Sequence, residues 1–206
     1  DRKIQQKLIH DENGKRRLAV FFIFSVVVNR IFNRSIKNLV IHSSVPSRTY
    51  FNHYTPKHEK YQLLYKQVQS ILEGESDMIA NMANISAMIH ATFGFWWTGF
   101  YRVCRDSADS RGILVLGPFQ GPLACSRIPY GRGVCGTAWA KGETVIVPDV
   151  DSFPGHIACS SASRSEIVVP VVHDNEIIGV LDIDSAELDT FDETDKLWLE
   201  KITSLL

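Results

Sequence analysis

The chain has 206 residues, a formal net charge of −1, 45% hydrophobic residues and 22% charged residues. These fractions are typical of a globular protein and exclude a disordered, collagen-like or multi-span membrane chain. One substantial core with an appended segment is expected at this length. Residues 61–206 hold 10 Lys and Arg against 19 Asp and Glu, which argues against nucleic acid as the main partner.

Residues 1–50 differ from the rest, and we predict that they form an N-terminal extension, either disordered or targeting. Residues 1–60 carry 12 Lys and Arg against 4 Asp and Glu, and three basic residues at 15–17 precede an apolar run at 18–28. This run is too short for a membrane-spanning helix, which needs about 20 residues. A basic flank before a short apolar run is nevertheless typical of targeting segments. We expect a cytoplasmic protein, with targeting or anchoring left open.

The predicted elements begin after this extension. Apolar residues at helical spacing predict a helix over 61–72 that ends at Gly74, and a second helix that starts at Ser76 and Asp77. Aromatic residues predict a strand over 93–103, and residues 113–116 predict another.

Two long loops flank the next elements. Residues 117–129 and 148–165 are predicted loops, and between them lie a short helix at 134–140 and a strand at 144–147. Connections of this length inside a compact domain are usually functional or disordered.

A hairpin and a helix end the chain. The strands 167–172 and 177–183 flank a turn that contains Asp174 and Asn175. Both strands are almost continuously apolar, which predicts a sheet covered on both faces. The last helix is expected to be capped by Thr190 or Asp192 and to bury Leu197, Leu199, Ile202 and Leu205. Because hairpins pair antiparallel strands, we predict one α+β domain: a central antiparallel sheet with helices on both sides.

Three acidic residues stand out in this hairpin. Asp182 and Asp184 alternate along an apolar strand and so share one face, and Glu166 starts the partner strand. A three-residue turn places Glu166 opposite Asp184, whereas a two-residue turn breaks this alignment. Three carboxylates on a covered sheet are costly unless a cation neutralises them, and a ligand ammonium, a metal or an arginine can do so. Alternatively, Asp184 and Ser185 only cap the turn that follows the strand.

Cys125, Cys135 and Cys159 lie in or beside the two long loops. They are open to three interpretations: buried structural thiols, reactive thiols, or zinc ligands together with His156. Small residues surround Cys159, which leaves backbone N–H groups free to hold a carboxylate or to stabilise a thiolate. A thiolate within reach of other cysteines is what thiol–disulfide exchange needs.

Seven short segments together are specific enough to identify a family: residues 97–101, 116–121, 124–125, 132–138, 155–159, 165–168 and 179–185. They resemble the free methionine-(R)-sulfoxide reductases, a family built on a single GAF domain, over about residues 58–206. Generic GAF domains lack the three cysteines at these places. The resemblance therefore implies a GAF domain at 58–206.

The resemblance also implies a role for each cysteine. Cys159 corresponds to the catalytic cysteine that attacks the sulfoxide sulfur, and Cys125 to the resolving cysteine. Cys135 corresponds to an additional cysteine that is able to pair with either of them. Cys104 has no counterpart and is expected to be non-catalytic.

The implied substrate pocket has three parts. By resemblance, Glu166, Asp182 and Asp184 bind the substrate ammonium, and Trp97 and Tyr101 form an aromatic wall. The backbone of Ile157, Ala158 and Cys159 corresponds to the segment that binds the carboxylate.

The function implied is thiol-dependent reduction of free L-methionine-(R)-sulfoxide through a cysteine sulfenic acid and then a disulfide. Thioredoxin or a related dithiol protein is the expected electron donor, and no bound cofactor or metal is expected. The physiological reductant and assembly as a homodimer stay open. The alternatives are a non-catalytic GAF module that senses a small ligand, and a zinc-stabilised interaction domain.

Overall fold

The structure, a computed structural model, describes residues 7–10, 16–19, 55–156 and 162–206. The chain divides into two units, Asp1–Val45 and Pro46–Leu206. In the first unit, strands β1 (Lys7–His10) and β2 (Arg16–Ala19) pair antiparallel. Most of the apolar run at 18–28 lies outside the described residues, so the interpretation of the extension stays a prediction. Among the described helices, none is long and apolar enough to cross a membrane.

The second unit contains a six-stranded sheet with four α-helices. Its sheet order is β5-β4-β3-β8-β7-β6, and every pair of neighbours is antiparallel. This confirms the predicted α+β class. In chain order the elements are α1 (Lys57–Leu72), α2 (Met78–Phe93), β3 (Trp97–Cys104), β4 (Ile113–Gln120), β5 (Arg127–Pro129), α3 (Gly133–Lys141), β6 (Val145–Val147), a 3-10 turn (Val150–Ser152), β7 (Ser165–His173), β8 (Glu176–Ser185) and α4 (Glu193–Thr203).

The sheet is covered on both faces, as predicted, but unequally. Helices α1, α2 and α4 cover one face, here called the helix-covered face, and bury an apolar core against it. Helix α3 covers part of the opposite face, here called the site face, together with the loops around it. The two faces alternate residue by residue along each strand.

Helix α2 ends later than the aromatic pattern predicted. We expected residues 93–103 to form a strand, but Phe93 is the last residue of α2 and the strand begins at Trp97. Gly94 ends the helix in the left-handed conformation, with φ of 71°, which glycine adopts without steric cost. Aromatic residues favour strands only weakly. Phe93 therefore remains in the helix that begins after Asp77, and the helix ends at Gly94.

Two further expectations were wrong in detail. The predicted loop at 117–129 is shorter, because β4 continues to Gln120 and β5 adds a short edge strand. In α4, Leu199 and Ile202 are fully buried, whereas Leu197 is half exposed. Leu197 lies two positions from Leu199, and residues two apart on a helix do not share a face.

The β7–β8 hairpin combines a two-residue turn with a bulge. Asp174 and Asn175 both have positive φ, 51° and 63°, which is typical of the type I′ hairpin turn. With this turn alone, the pairing would be shifted by one residue, and Glu166 would not lie opposite Asp184. A bulge at Ile178 restores it, since Val172 pairs with Ile177 while Val171 pairs with Gly179.

Candidate active site

The restored register brings three carboxylates together on the site face. Glu166 of β7 pairs directly with Asp184 of β8, and Asp184 also pairs with Trp97 of β3. Glu166 and Asp182 are each only 6% exposed, and Asp184 is partly buried. The acid cluster predicted from the sequence therefore exists, although the turn has two residues rather than three.

Burial makes this cluster hard to ionise. It raises the pKa values of the Glu166 and Asp182 carboxyls well above their usual range, and the negative charges of neighbouring acids add to the effect. Burial also raises the pKa of Asp184 to about 6, against the opposing hydrogen bond that Ser163 Oγ donates to Asp184 Oδ1. Among the described residues, the basic group that lies within 4.0 Å of these carboxylates is His156, with Nε2 3.9 Å from Glu166 Oε2.

Helix α3 directs a cysteine into the acid cluster. Cys135 is buried, and its Sγ lies 4.0 Å from Glu166 Oε1. Burial, reinforced by the charges of Asp182 and Glu166, raises the pKa of this thiol well above its usual range. The helix sits close to β5 because Gly136 has no side chain: a Cβ there would lie 2.6 Å from the Pro129 carbonyl oxygen.

Aromatic rings form the wall beside the carboxylates. Trp97 stacks on Tyr101 with ring centroids 5.9 Å apart, and on Phe119 with centroids 5.5 Å apart. The Trp97 indole donates a hydrogen bond to the Pro122 carbonyl. Gly99 leaves room for the indole, because a Cβ at this position would lie 2.4 Å from its ring.

The wall is linked to the first cysteine loop. Tyr101 Oη donates a hydrogen bond of 3.0 Å to the Cys125 carbonyl oxygen. Cys125 is disulfide-bonded, whereas Cys104 and Cys135 have free thiols. The Tyr101 hydroxyl thus holds the backbone of a disulfide-bonded loop against the site.

These groups surround one open cavity. The floor holds the acids and Cys135, and the exposed side chains of Trp96 and Leu123 lie at the rim. Six of the residues predicted from the sequence line it: Trp97, Tyr101, Cys135, Glu166, Asp182 and Asp184. A cavity with an acidic floor and an aromatic wall suits a small ligand that has a cationic end and an apolar end.

Three predicted site residues cannot be compared with the structure. Ile157, Ala158 and Cys159 lie outside the described residues. Their roles in binding the carboxylate and in attacking the sulfoxide stay predictions.

Sequence reasoning missed two residues of this site. The sequence suggested His156 only as a zinc ligand, yet its side chain contacts Glu166. Ser163 was seen only as one of several small residues, yet it donates a hydrogen bond to Asp184. The sequence carries no signal for either contact, because both depend on how the 148–165 connection returns to the sheet.

Comparison with known proteins identifies the family of this chain. The model of the GAF domain family matches residues 75–206. The chain is 54% identical over 150 residues to GAF domain-containing protein A of Dictyostelium discoideum, covering 73% of this chain and 92% of the relative. It is 45% identical over 151 residues to the free methionine-R-sulfoxide reductase of Escherichia coli, covering 73% of this chain and 88% of the relative.

Solved structures give the same result. The free methionine-R-sulfoxide reductase of Neisseria meningitidis, in complex with its substrate, superposes with a TM-score of 0.70 at 51% identity and covers 77% of this chain and 92% of its own. The reduced form of the Staphylococcus aureus fRMsr superposes with a TM-score of 0.65 at 48% identity, covering 70% and 91%. The fold, the acid cluster and these matches lead to one conclusion: the chain belongs to the free methionine-R-sulfoxide reductase family of GAF-domain proteins.

Proposed function

We propose that this protein reduces free L-methionine-(R)-sulfoxide to L-methionine. The observation that carries the proposal is the buried floor of three carboxylates beside an aromatic wall and a disulfide-bonded cysteine loop. Relatives named free methionine-R-sulfoxide reductase, at 42% identity in Saccharomyces cerevisiae and 45% in Escherichia coli, support it. The proposed activity is that of an oxidoreductase acting on sulfur.

The acid cluster binds the ammonium group of the substrate. Glu166, Asp182 and Asp184 are costly to bury as anions unless a cation lies among them. A primary ammonium supplies one positive charge and three donors, which suits converging carboxylate oxygens. The stacked rings of Trp97 and Tyr101 then lie beside the sulfoxide end, where sulfur packs well against aromatic rings.

This arrangement selects the free amino acid over methionine sulfoxide within a protein. An internal residue has no ammonium group, so it would leave the buried carboxylates unpaired. A site built to bind a charged group rejects analogues that lack it by several orders of magnitude, about 10⁴–10⁵ for a buried hydrogen-bonding site.

The chemistry begins with Cys159. Its thiolate attacks the sulfoxide sulfur, the oxygen is protonated, and the S–O bond breaks as oxygen passes to the cysteine. Methionine leaves, and Cys159 is left as a sulfenic acid. We assign the proton to a carboxyl of the cluster that is not paired with the ammonium, since burial raises the pKa values of the Glu166 and Asp182 carboxyls.

Cys125 completes the turnover as the resolving cysteine. Its thiol attacks the sulfenic acid, water leaves and a disulfide forms. The disulfide-bonded state of Cys125 supports this assignment, and we propose Cys159 as its partner because Cys104 and Cys135 have free thiols. An external dithiol protein of the thioredoxin type then restores both thiols by exchange.

The position of Cys135 favours Cys159 as the nucleophile. The Cys135 thiol is buried among acids that raise its pKa, and a thiol is a poor nucleophile until it ionises. In this proposal Cys135 lines the ammonium subsite, and its disulfide chemistry is not needed for turnover.

A turnover assay tests the proposal. Free methionine-(R)-sulfoxide, the S epimer and a peptide-bound sulfoxide are compared with dithiothreitol as reductant, using wild type, Cys159→Ser and the matched control Cys104→Ser. We expect turnover of the free R epimer only, lost in Cys159→Ser and kept in Cys104→Ser.

The opposite result would favour a different function. If folded and fully reduced wild type turns over none of the three substrates, the reductase proposal fails. A GAF module that senses a small ammonium-bearing ligand without catalysis then becomes the better interpretation.

A further inference from the structure

We propose that the floor of the cavity is also an inhibitory site for a thiophilic divalent metal ion such as Zn²⁺. The ligands are Cys135, Glu166 and Asp182, and the bound ion occupies the subsite that takes the substrate ammonium. The metal site stands on its own geometry, and only the competition with substrate rests on the proposed function.

The three donor atoms already converge. One sulfur and one oxygen from each of the two carboxylates lie within 4.8 Å of one another, and all three residues are buried. The Cys135 Sγ to Glu166 Oε1 distance is 4.0 Å. Zinc–thiolate bonds of about 2.3 Å and zinc–carboxylate bonds of about 2.0–2.2 Å put tetrahedral ligand atoms roughly 3.4–3.6 Å apart, so side-chain rotations must bring the donors closer by up to about 1.4 Å.

A second observation points to a ligand at this place. Asp182 is only 6% exposed, yet its Oδ1 has no hydrogen-bond partner among the described residues. A buried carboxylate oxygen without a partner carries a desolvation cost that a cation removes. Asp182 also faces a second acid, Glu166, so a divalent ion neutralises more of the local charge than an ammonium does.

The donor set distinguishes a metal from an ammonium. An ammonium needs only oxygen acceptors, and carboxylates alone would serve it. A thiol sulfur beside two carboxylates is instead the mixed donor set that suits borderline ions such as Zn²⁺ and Co²⁺ over Mg²⁺ or Ca²⁺. On binding, Cys135 releases its proton to solvent and coordinates as the thiolate.

His156 is the candidate for a fourth ligand. Its Nε2 lies 3.9 Å from Glu166 Oε2, the carboxylate oxygen that does not face Cys135, and it lines the same cavity. The cavity mouth also admits water, which can complete a tetrahedral site. The metal would thus be held on the floor and exposed toward the substrate.

Cobalt binding to the oxidised protein tests the site without any turnover. Among the described residues the free thiols are Cys104 and Cys135, and Cys159 is the proposed partner in the Cys125 disulfide. When that disulfide is closed, a thiolate-to-cobalt charge-transfer band therefore reports on Cys104 or Cys135. We expect Co²⁺ to produce this band in wild type and in Cys104→Ser, but not in Cys135→Ser. Zn²⁺ should displace Co²⁺ and abolish the band.

A second variant guards against misfolding of the first. Asp182→Asn keeps the thiol and the size of the side chain. It should weaken Co²⁺ binding by about 10–100-fold or more, since that is the typical loss when a residue that only supports a metal ligand is changed. No band in folded, oxidised wild type, a band that survives Cys135→Ser, or unchanged affinity in Asp182→Asn would each overturn the metal site.

Competition tests the inhibitory part. L-methionine, the proposed product, carries the same ammonium and should displace Co²⁺ from oxidised wild type at a concentration where glycine, which chelates Co²⁺ in solution to a similar extent, does not. If saturating L-methionine leaves Co²⁺ binding unchanged, the metal and the ammonium do not share a subsite, and the inhibitory part of the proposal fails. Failure of the turnover assay with intact Co²⁺ binding would instead count against the reductase proposal alone, so the two can be told apart.

Discussion

Successive residues of β8 point to two environments that differ in chemistry. Leu181 and Ile183 face the helix-covered side and are fully buried in an apolar core. Asp182 and Asp184, one position on in each case, face the site side, where carboxylates crowd together. The strand therefore stabilises the fold through one face and gathers carboxylates on the other, which supports the proposed cationic ligand on that second face.

The largest effect is expected from Asp182→Asn, which removes one charge of the site face. If Asp182 pairs with a buried substrate ammonium, breaking that pair costs about 3–5 kcal/mol. The kcat/KM for free methionine-(R)-sulfoxide should then fall by about 10²–10⁴-fold. The free energy of unfolding should not decrease, because the change relieves repulsion from neighbouring acids.

Asp174→Asn is the matched control. It makes the same chemical change in the exposed turn of the same hairpin, where asparagine tolerates the positive φ of 51°. Its kcat/KM should equal that of wild type. Equal losses in both variants, or a strong loss of stability in Asp182→Asn, would contradict the contrast between the faces.

The next largest effect is expected one residue away, on the helix-covered face. Ile183→Ala leaves a cavity in a fully buried core, which typically costs about 2–5 kcal/mol. Urea unfolding should show this loss, while kcat at a temperature where the variant is folded should stay near that of wild type. Val172→Ala, at a half-exposed position in the same hairpin, should change the free energy of unfolding by no more than about 0.5 kcal/mol.

Both faces of β8 were readable from the sequence because strands alternate with a period of two. The apolar and acidic residues at 180–184 assign each face without knowledge of the fold. The caps were also readable: Asp77 begins α2 and Asp192 caps α4, as expected. Local chemistry of this kind depends on neighbours in the chain and survives in the folded state.

Contacts across the fold were not readable. The bulge at Ile178 that aligns Glu166 with Asp184 has no marker in the sequence, and a two-residue turn alone predicts the wrong alignment. The contacts of Ser163 and His156 with the acids depend on the path of a long connection. The site was therefore predictable in its residue types, while its geometry came from tertiary packing.

The smallest expected effect is a dependence of stability on pH that comes from the site face. Burial raises the pKa of Asp184 to about 6 in the folded state, from a usual value of 3.8. Between these values the folded state binds more protons than the unfolded state, so the free energy of unfolding falls as the pH rises from about 4 to 6. A shift of about two units corresponds to roughly 3 kcal/mol in the limit, and less where the neighbouring acids share the proton.

Comparison with Asp184→Asn isolates this contribution from every other titrating group. Urea unfolding at pH 5 and at pH 7 measures the free energy of unfolding of each protein. We expect the gain in this free energy from pH 7 to pH 5 to be larger in wild type than in the variant, whose asparagine cannot titrate. Substrate affinity should change in the opposite direction, because protonation of Asp184 removes charge from the ammonium subsite. Identical pH dependence in wild type and variant would mean that Asp184 titrates normally, and ionising its carboxyl would then cost less free energy than its burial indicates.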